Sequence, residues 1–345
     1  MRQDVSVSRS PVRRGPPVPA ADATADAAVA RWIQRTLHAD PPRAKSLIVT
    51  VWGDALAPHG GGAWLAGLIR LMAPFGINER LVRTSVFRLT QDGWLHSATH
   101  GRMSRYRLTE EGRRRFDDAH LRIYARPADA WNGGWELVVA DAVPPAMRAG
   151  LRKELNWSGF GALGPTVFLR PAQSGRAGPA VLDAPGVAER VIVGAAGNMP
   201  GRRPLTAAVA TAWDLTLLAA DYRRFLQRFG AVIDRFRATR DGAHDPQQCF
   251  VVRTLLIHAY RRVLLRDPLL PAALVPLDWP GAAAYALCRD FYRLTHRSAE
   301  RHLAATLANA QEEFPPADAA FYARFGGLDG NCVATERQLS DRSPV

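Results

Sequence analysis

The chain has 345 residues, enough for two or three domains with real cores, and a formal net charge of +13 that suits a polyanionic partner. No apolar run reaches the roughly 18 residues of a membrane span, and no apolar leader opens the chain, so a cytoplasmic protein is expected. Cys249, Cys288 and Cys332 lie far apart, which fits reduced thiols and excludes a zinc spacing. Lys45 and Lys153 are the only lysines, so part of the arginine excess is compositional bias and its placement tells more than its sum.

Residues 1–30 are rich in Pro, Ala, Ser, Arg and Asp without an aromatic, and read as a disordered tail. Residues 45–55 form an apolar helical run with Leu47, Ile48, Val51 and Trp52. Pro58-His59-Gly60-Gly61-Gly62 reads as a flexible turn, since it lacks the Lys-Ser/Thr of a P-loop. A second helix is predicted over 63–72, and Pro74-Phe75-Gly76 leads tightly into a third.

That third helix, 78–91, carries the strongest signal. Asn78 is placed to cap it with a side-chain oxygen, and Glu79 meets the positive end of the dipole. Val82, Val86 and Leu89 recur at i, i+4 and i+7, with Ser85 small on the same side. Arg80, Thr84, Phe87 and Gln91 point the opposite way, flanked by Arg83 and Arg88. Gly93 is placed to end the helix. Residues 94–98 and 103–108 then read as a hairpin around His100-Gly101, with Arg105 and Arg107 on one face. Three helices and a basic hairpin predict a winged helix-turn-helix reading duplex DNA. A basic helix alone is as often a solvated surface; the hairpin and the preceding helices favour DNA. From 78 to 126 there are eleven arginines against six carboxylates. Arg80, Arg83, Thr84, Phe87, Arg88, Arg102, Arg105 and Arg107 are the DNA-contact candidates. Phe87 either meets a thymine methyl or packs under the wing.

Thr109 reads as the N-cap of a charged helix to about Tyr124, and Pro127 with Trp131-Asn132-Gly133-Gly134 marks a boundary. A strand over 135–140, a helix over 144–157, a strand over 160–169 broken by Gly164-Pro165, a loop over 174–185 and a strand over 187–193 suggest a small ferredoxin-like α+β domain. From about 204 the pattern is helical: a long run over 205–237, a helix opened by Asp245-Pro246, and another opened by Trp279-Pro280-Gly281. The second of these carries Val252, Leu255, Leu256, Ala259 and Val263 on one stripe. The many aromatics here read first as core.

Five stretches together make the chain resemble the PaaX family over about 31–328. They are Gly53-Asp54-Ala55-Leu56 with the glycine turn and Trp64-Leu65; Val82 through Leu89 with Gly93-Trp94-Leu95; Trp157 through Leu163; Leu255 through Val263 into Asp267-Pro268-Leu269-Leu270-Pro271; and Phe325-Gly326-Gly327-Leu328. The resemblance implies a bacterial repressor of phenylacetic acid catabolism. It would be a homodimer that binds double-stranded operator DNA and leaves it on binding phenylacetyl-CoA. The implied organisation is a tail (1–30), a winged helix-turn-helix domain with linker helix (31–126), a Cas2-like ferredoxin-fold domain (127–203), a helical C-terminal effector and dimerisation domain (204–328) and a second tail (329–345). Relatives with other inducers leave a different acyl-CoA open.

An acyl-CoA needs an apolar slot and cations for its phosphates. Trp213, His258, Tyr260, Arg261 and Arg262 offer both and are the effector candidates, although His258 and Tyr260 read equally well as core or interface. No catalytic, metal or cofactor constellation stands out. The competing classes are a Cas2-like metal-dependent nuclease using Asp141, a single carboxylate that reads more readily as a turn residue, and an architectural DNA binder without sequence preference.

Overall fold

The computed structural model describes residues 20–101, 103–125, 131–172, 178–197, 205–238, 244–308 and 313–328. Arg102, one of the predicted wing cations, lies outside them, as do 1–19 and 329–345 of the predicted tails.

Helix α1 (Ala20–Ala39) begins inside the segment read as a disordered tail, which corrects that reading over 20–30. Its alanines favour helix, and Val29, Trp32 and Ile33 are buried, with Trp32 5.5 Å from the Phe229 ring. Helix α2 (Ala44–Val51) does not run on to 55 as predicted; it widens into a π-helical turn, Trp52–Leu56. Such turns insert an extra residue. Here Trp52 and Asp54 are both buried, and Trp52 Nε1 donates to the Gly61 carbonyl at 3.1 Å. Gly62, read as turn, and residues 63–64, predicted as the start of a helix, form strand β1 (Gly62–Trp64), because the edge of a later strand offers it a partner; helix α3 (Leu65–Met72) follows.

Helix α4 (Glu79–Gln91) has its predicted cap, Asn78 Oδ1 accepting from Leu81 N at 3.0 Å. Val82, Ser85, Val86 and Leu89 are its buried stripe. Strands β2 (Leu95–His100) and β3 (Met103–Leu108) form the hairpin, and the antiparallel sheet has order β1-β3-β2. Thr109 caps helix α5 (Glu110–Tyr124) as predicted. Its Oγ1 accepts from Gly112 N at 2.9 Å and donates to the Gly93 carbonyl at 2.6 Å, so one hydroxyl ties the hairpin to the helix after it.

The central sheet holds β4 (Trp135–Val139), β5 (Gly161–Ala162), β6 (Val167–Pro171) and β7 (Ile192–Ala196), with helix α6 (Pro145–Trp157) between the first two. Its order β5-β6-β4-β7, all antiparallel, is that of the ferredoxin-like βαββαβ unit. The second helix of that unit is replaced in part by short 3-10 turns at Ala180–Asp183 and Ala188–Arg190, so the strand predicted from 187 starts only at Ile192. Gly161 is fixed by packing: a Cβ there would fall 2.4 Å from the Trp213 indole.

The predicted run 205–237 is two helices, α7 (Leu205–Ala212) and α8 (Leu215–Ala238), parted at Trp213-Asp214. Helix α9 (Pro246–Leu264) starts at its Asp245 cap, α10 (Pro280–Leu307) follows, and the short α11 (Ala319–Tyr322) closes the described chain. α9 is buried on nearly every side, not on one stripe. Helices α10, α8, α1, α2 and α5 all pack on it. A single apolar core therefore runs from Val29 through α2–α5 into α8–α10 and on to Leu328, while the central sheet keeps separate cores.

A buried polar network ties the N-terminal elements to this helical body. Asp54 accepts from Tyr124 OH at 2.5 Å and from Tyr292 OH. Arg324 Nη1 donates to the Asp54 carbonyl at 2.9 Å and to Tyr292 OH at 3.0 Å, and its guanidinium lies 4.1 Å from the Tyr124 ring centroid. Arg253 lies 3.5 Å from the other Asp54 oxygen and donates to Glu300 at 3.0 Å. His59 bridges Glu300 (2.8 Å) and the Pro315 carbonyl (2.7 Å).

Candidate functional site

The outer face of α4 is an exposed basic surface on the N-terminal elements. Arg80, Arg83, Thr84, Phe87 and Arg88 are all exposed, and Phe87 keeps 60% of its surface, so it does not pack under the hairpin. Arg83 is held by Glu79 one turn earlier at 2.7 Å. Among the described residues Arg80 and Arg88 have no ion-pair partner, which leaves them the readier cations. On the hairpin Arg107 is exposed, whereas Arg105 is half-buried, its guanidinium 5.6 Å from the Trp64 ring centroid. The structure thus exposes the α4 face and distinguishes its members by exposure and pairing.

The five effector candidates do not form one site. Trp213 packs with Trp135, Leu169, Val209 and Leu274 against the central sheet. Tyr260 is core, its ring 5.7 Å from Phe225. Arg262 is exposed. His258 is buried and hydrogen-bonds Thr50 Oγ1 through Nδ1 at 2.7 Å, and the same Thr50 hydroxyl lies 3.1 Å from the Ser46 carbonyl. Arg261 alone lines a cavity. Helix α9 is buried well beyond one apolar stripe, and the added burial takes up His258 and Tyr260.

Burial, reinforced by the neighbouring Arg261 and Arg262 guanidiniums, pushes the His258 pKa down to about 4 from its ordinary 6.5. The folded protein thus holds the neutral ring. Its contribution to stability is complete above about pH 6.5 and is lost as pH falls toward 4. The urea midpoint is expected to drop between pH 7 and pH 4.5, and to drop less in His258→Gln; an equally steep decline in that variant would assign the acid sensitivity to other groups.

The cavity has a volume of about 610 Å³ and lies where α2, α5 and α9 meet the end of α6. Trp94, Phe116, Tyr124 and Trp157 supply aromatic wall; Arg115, Arg122 and Arg261 supply positive charge, and Asp54 and Asp118 are the carboxylates in the lining. Sequence reasoning missed the α5 contribution by reading that helix as a charged linker. The signal was present in Phe116, Ala119 and Ile123 at i, i+3 and i+7. Asp141, the nuclease candidate, is exposed in the turn after β4, and among the described residues no three His, Cys, Asp or Glu side chains group to hold a metal ion.

The architecture defines a mixed helix-and-sheet protein whose basic helix-and-hairpin unit shares its core with a helical body beside a ferredoxin-like sheet. Residues 43–112 match the family model for PaaX-like protein, 128–207 that for the PaaX protein central Cas2-like domain, and 213–305 that for the PaaX-like protein C-terminal domain. Over 301 residues the chain is 36% identical to the transcriptional repressor PaaX of Escherichia coli (strain K12), an alignment covering 86% of this chain and 95% of that one. The solved structure of the uncharacterized protein Rv0674 from Mycobacterium tuberculosis matches 77% of this chain and 99% of its own, at 30% identity and a TM-score of 0.52. The chain belongs to the PaaX family.

Proposed function

We propose that this protein is a DNA-binding transcriptional repressor of phenylacetate catabolism genes, released from its operator by phenylacetyl-CoA. In this reading α2, α3 and α4 with the β1-β3-β2 sheet form a winged helix-turn-helix, α4 is the recognition helix, and the β2–β3 hairpin is the wing. The observation that carries it is the exposed face of α4, where Arg80 and Arg88 have no ion-pair partner among the described residues, beside a basic hairpin. The repressor named among its relatives supports the same reading.

A homodimer presents two recognition helices about 34 Å apart, or a multiple of that, which requires an imperfect palindromic operator. Arg80, Arg88 and Thr84 address base edges; Arg105 and Arg107 address phosphates, which fix register without reading sequence. A bound thioester releases the repressor only in so far as it prefers a geometry that cannot engage both half-sites.

A gel shift on the promoter nearest the gene, at fixed salt, tests this. Phenylacetyl-CoA is expected to release the DNA and free phenylacetate to leave it bound. Equal affinity for the promoter and for random duplex would refute the repressor reading. Specific binding relieved only by another acyl-CoA would refute the assignment of phenylacetyl-CoA.

A further inference from the structure

We propose that the cavity between α2, α5 and α9 is the effector site, and that it takes an aromatic acyl group carried on a phosphate-bearing anion. This rests on the acyl-CoA-responsive reading above and adds where the ligand sits and which groups hold it.

Size and lining fit such a ligand. At about 610 Å³ the cavity falls in the range of small-molecule sites, roughly 300–1,000 Å³. Its apolar wall is aromatic. Trp94 and Phe116 stand edge to face at 5.4 Å, and Trp157, 59% exposed, marks the mouth from the central domain. Gly53 lets this wall form, since a Cβ there would fall 2.7 Å from the Phe116 ring.

The cations are set for an anion. Arg261 and Arg122 both line the cavity, and each has a buried Nε with no hydrogen-bond acceptor among the described residues. Burial holds both guanidiniums below the usual arginine range. Two half-buried guanidiniums with spare donors are incomplete until a negative group arrives, and phosphate oxygens accept such donors strongly. Arg122 also anchors the Leu264 carbonyl at 3.3 Å, so it has a structural task as well. Among the described residues Arg261 makes no such bond, and it is the cleaner anchor.

The position connects occupancy to DNA. Val49 and Thr50 of α2, with Gly53 in the π-helical turn that follows it, form one side of the cavity, and α4 packs on α2. Trp94 begins the wing, and its carbonyl accepts from Thr109 N, at the cap of α5, at 3.1 Å. A ligand between α2 and α5 therefore bears on both the support of the recognition helix and the root of the wing.

The test is isothermal titration of the full chain with two probes, phenylacetyl-CoA and the aromatic anion anilinonaphthalene sulfonate. Arg261→Ala and the cavity-filling Ala119→Trp are compared with Arg262→Ala, an exposed neighbour. The expected result is at least a tenfold loss of affinity for both probes in the first two variants, with Arg262→Ala unchanged and thermal midpoints preserved in Arg261→Ala. Wild-type affinity for phenylacetyl-CoA in Arg261→Ala and Ala119→Trp would overturn the cavity assignment and leave the repressor reading intact. Arg261-dependent binding of the sulfonate without any binding of the thioester would uphold the cavity and refute the phenylacetyl-CoA reading. A wild-type chain that binds neither probe overturns both.

Discussion

Replacing Asp54 with alanine is expected to lower the unfolding free energy by about 3–5 kcal/mol, the usual cost of removing one partner of a buried charge cluster. Asp54 is 2% exposed, and the guanidiniums of Arg253 and Arg324 that face it are both fully buried. Without the carboxylate those two cations repel each other in a medium that screens them poorly. Tyr124 and Tyr292 also lose their acceptor. Equilibrium urea denaturation of the full chain measures the loss, and Asp54→Asn separates its parts. The amide keeps an oxygen for the tyrosines and removes only the charge. If the asparagine variant is as unstable as alanine, the charge holds the cluster. If it is as stable as wild type, the hydrogen bonds do. An alanine variant with an unchanged midpoint would show that the network contributes nothing.

The second large effect is on DNA. Arg80→Ala combined with Arg88→Ala is expected to weaken operator binding by ~2 kcal/mol or more, about 30-fold, taking ~1 kcal/mol as the lower bound for each base contact. Both residues lie on the exposed face of α4 and contribute nothing to its buried stripe, so helix content is expected to stay the same. Arg83→Ala is expected to cost less, because Glu79 already pairs Arg83. Fluorescence anisotropy on an operator duplex at fixed salt reads the difference. Undiminished operator binding by the folded double variant would mean that α4 is not the reading helix.

What the sequence revealed was local. The Asn78 cap, the Val82-Val86-Leu89 stripe, the stop at Gly93 and the Thr109 cap are decided by neighbours within a turn or two, and all stand as read. The central strand-helix-strand pattern was legible for the same reason, but the segment 160–169, read as one broken strand, is the two antiparallel strands β5 and β6, and β7 begins later than read. Long-range pairing was not legible. Nothing near residue 62 announces that β1 will join β3, because the edge that invites it lies more than 40 residues later. Local periodicity shows one apolar stripe on α9, but the helix has two buried sides. The effector candidates failed through that gap: Tyr260 and His258, on opposite flanks of the stripe, are both buried, and Trp213 closes on Gly161. The groups that line the cavity come from α2, α5, α6 and α9 and meet only in three dimensions.

The bond from Arg324 to the Asp54 carbonyl spans 270 positions of chain. Phe321 and Phe325 from the same late segment fill the core that α2 and α5 share with α10. A chain growing from the ribosome can make its early helices, but it cannot finish the unit that contains them until the segment around Arg324 emerges. Such long loop closures slow folding. During synthesis the early segment exposes apolar surface intended for the late one, so the newly made half is the form most open to aggregation and in greatest need of chaperone cover.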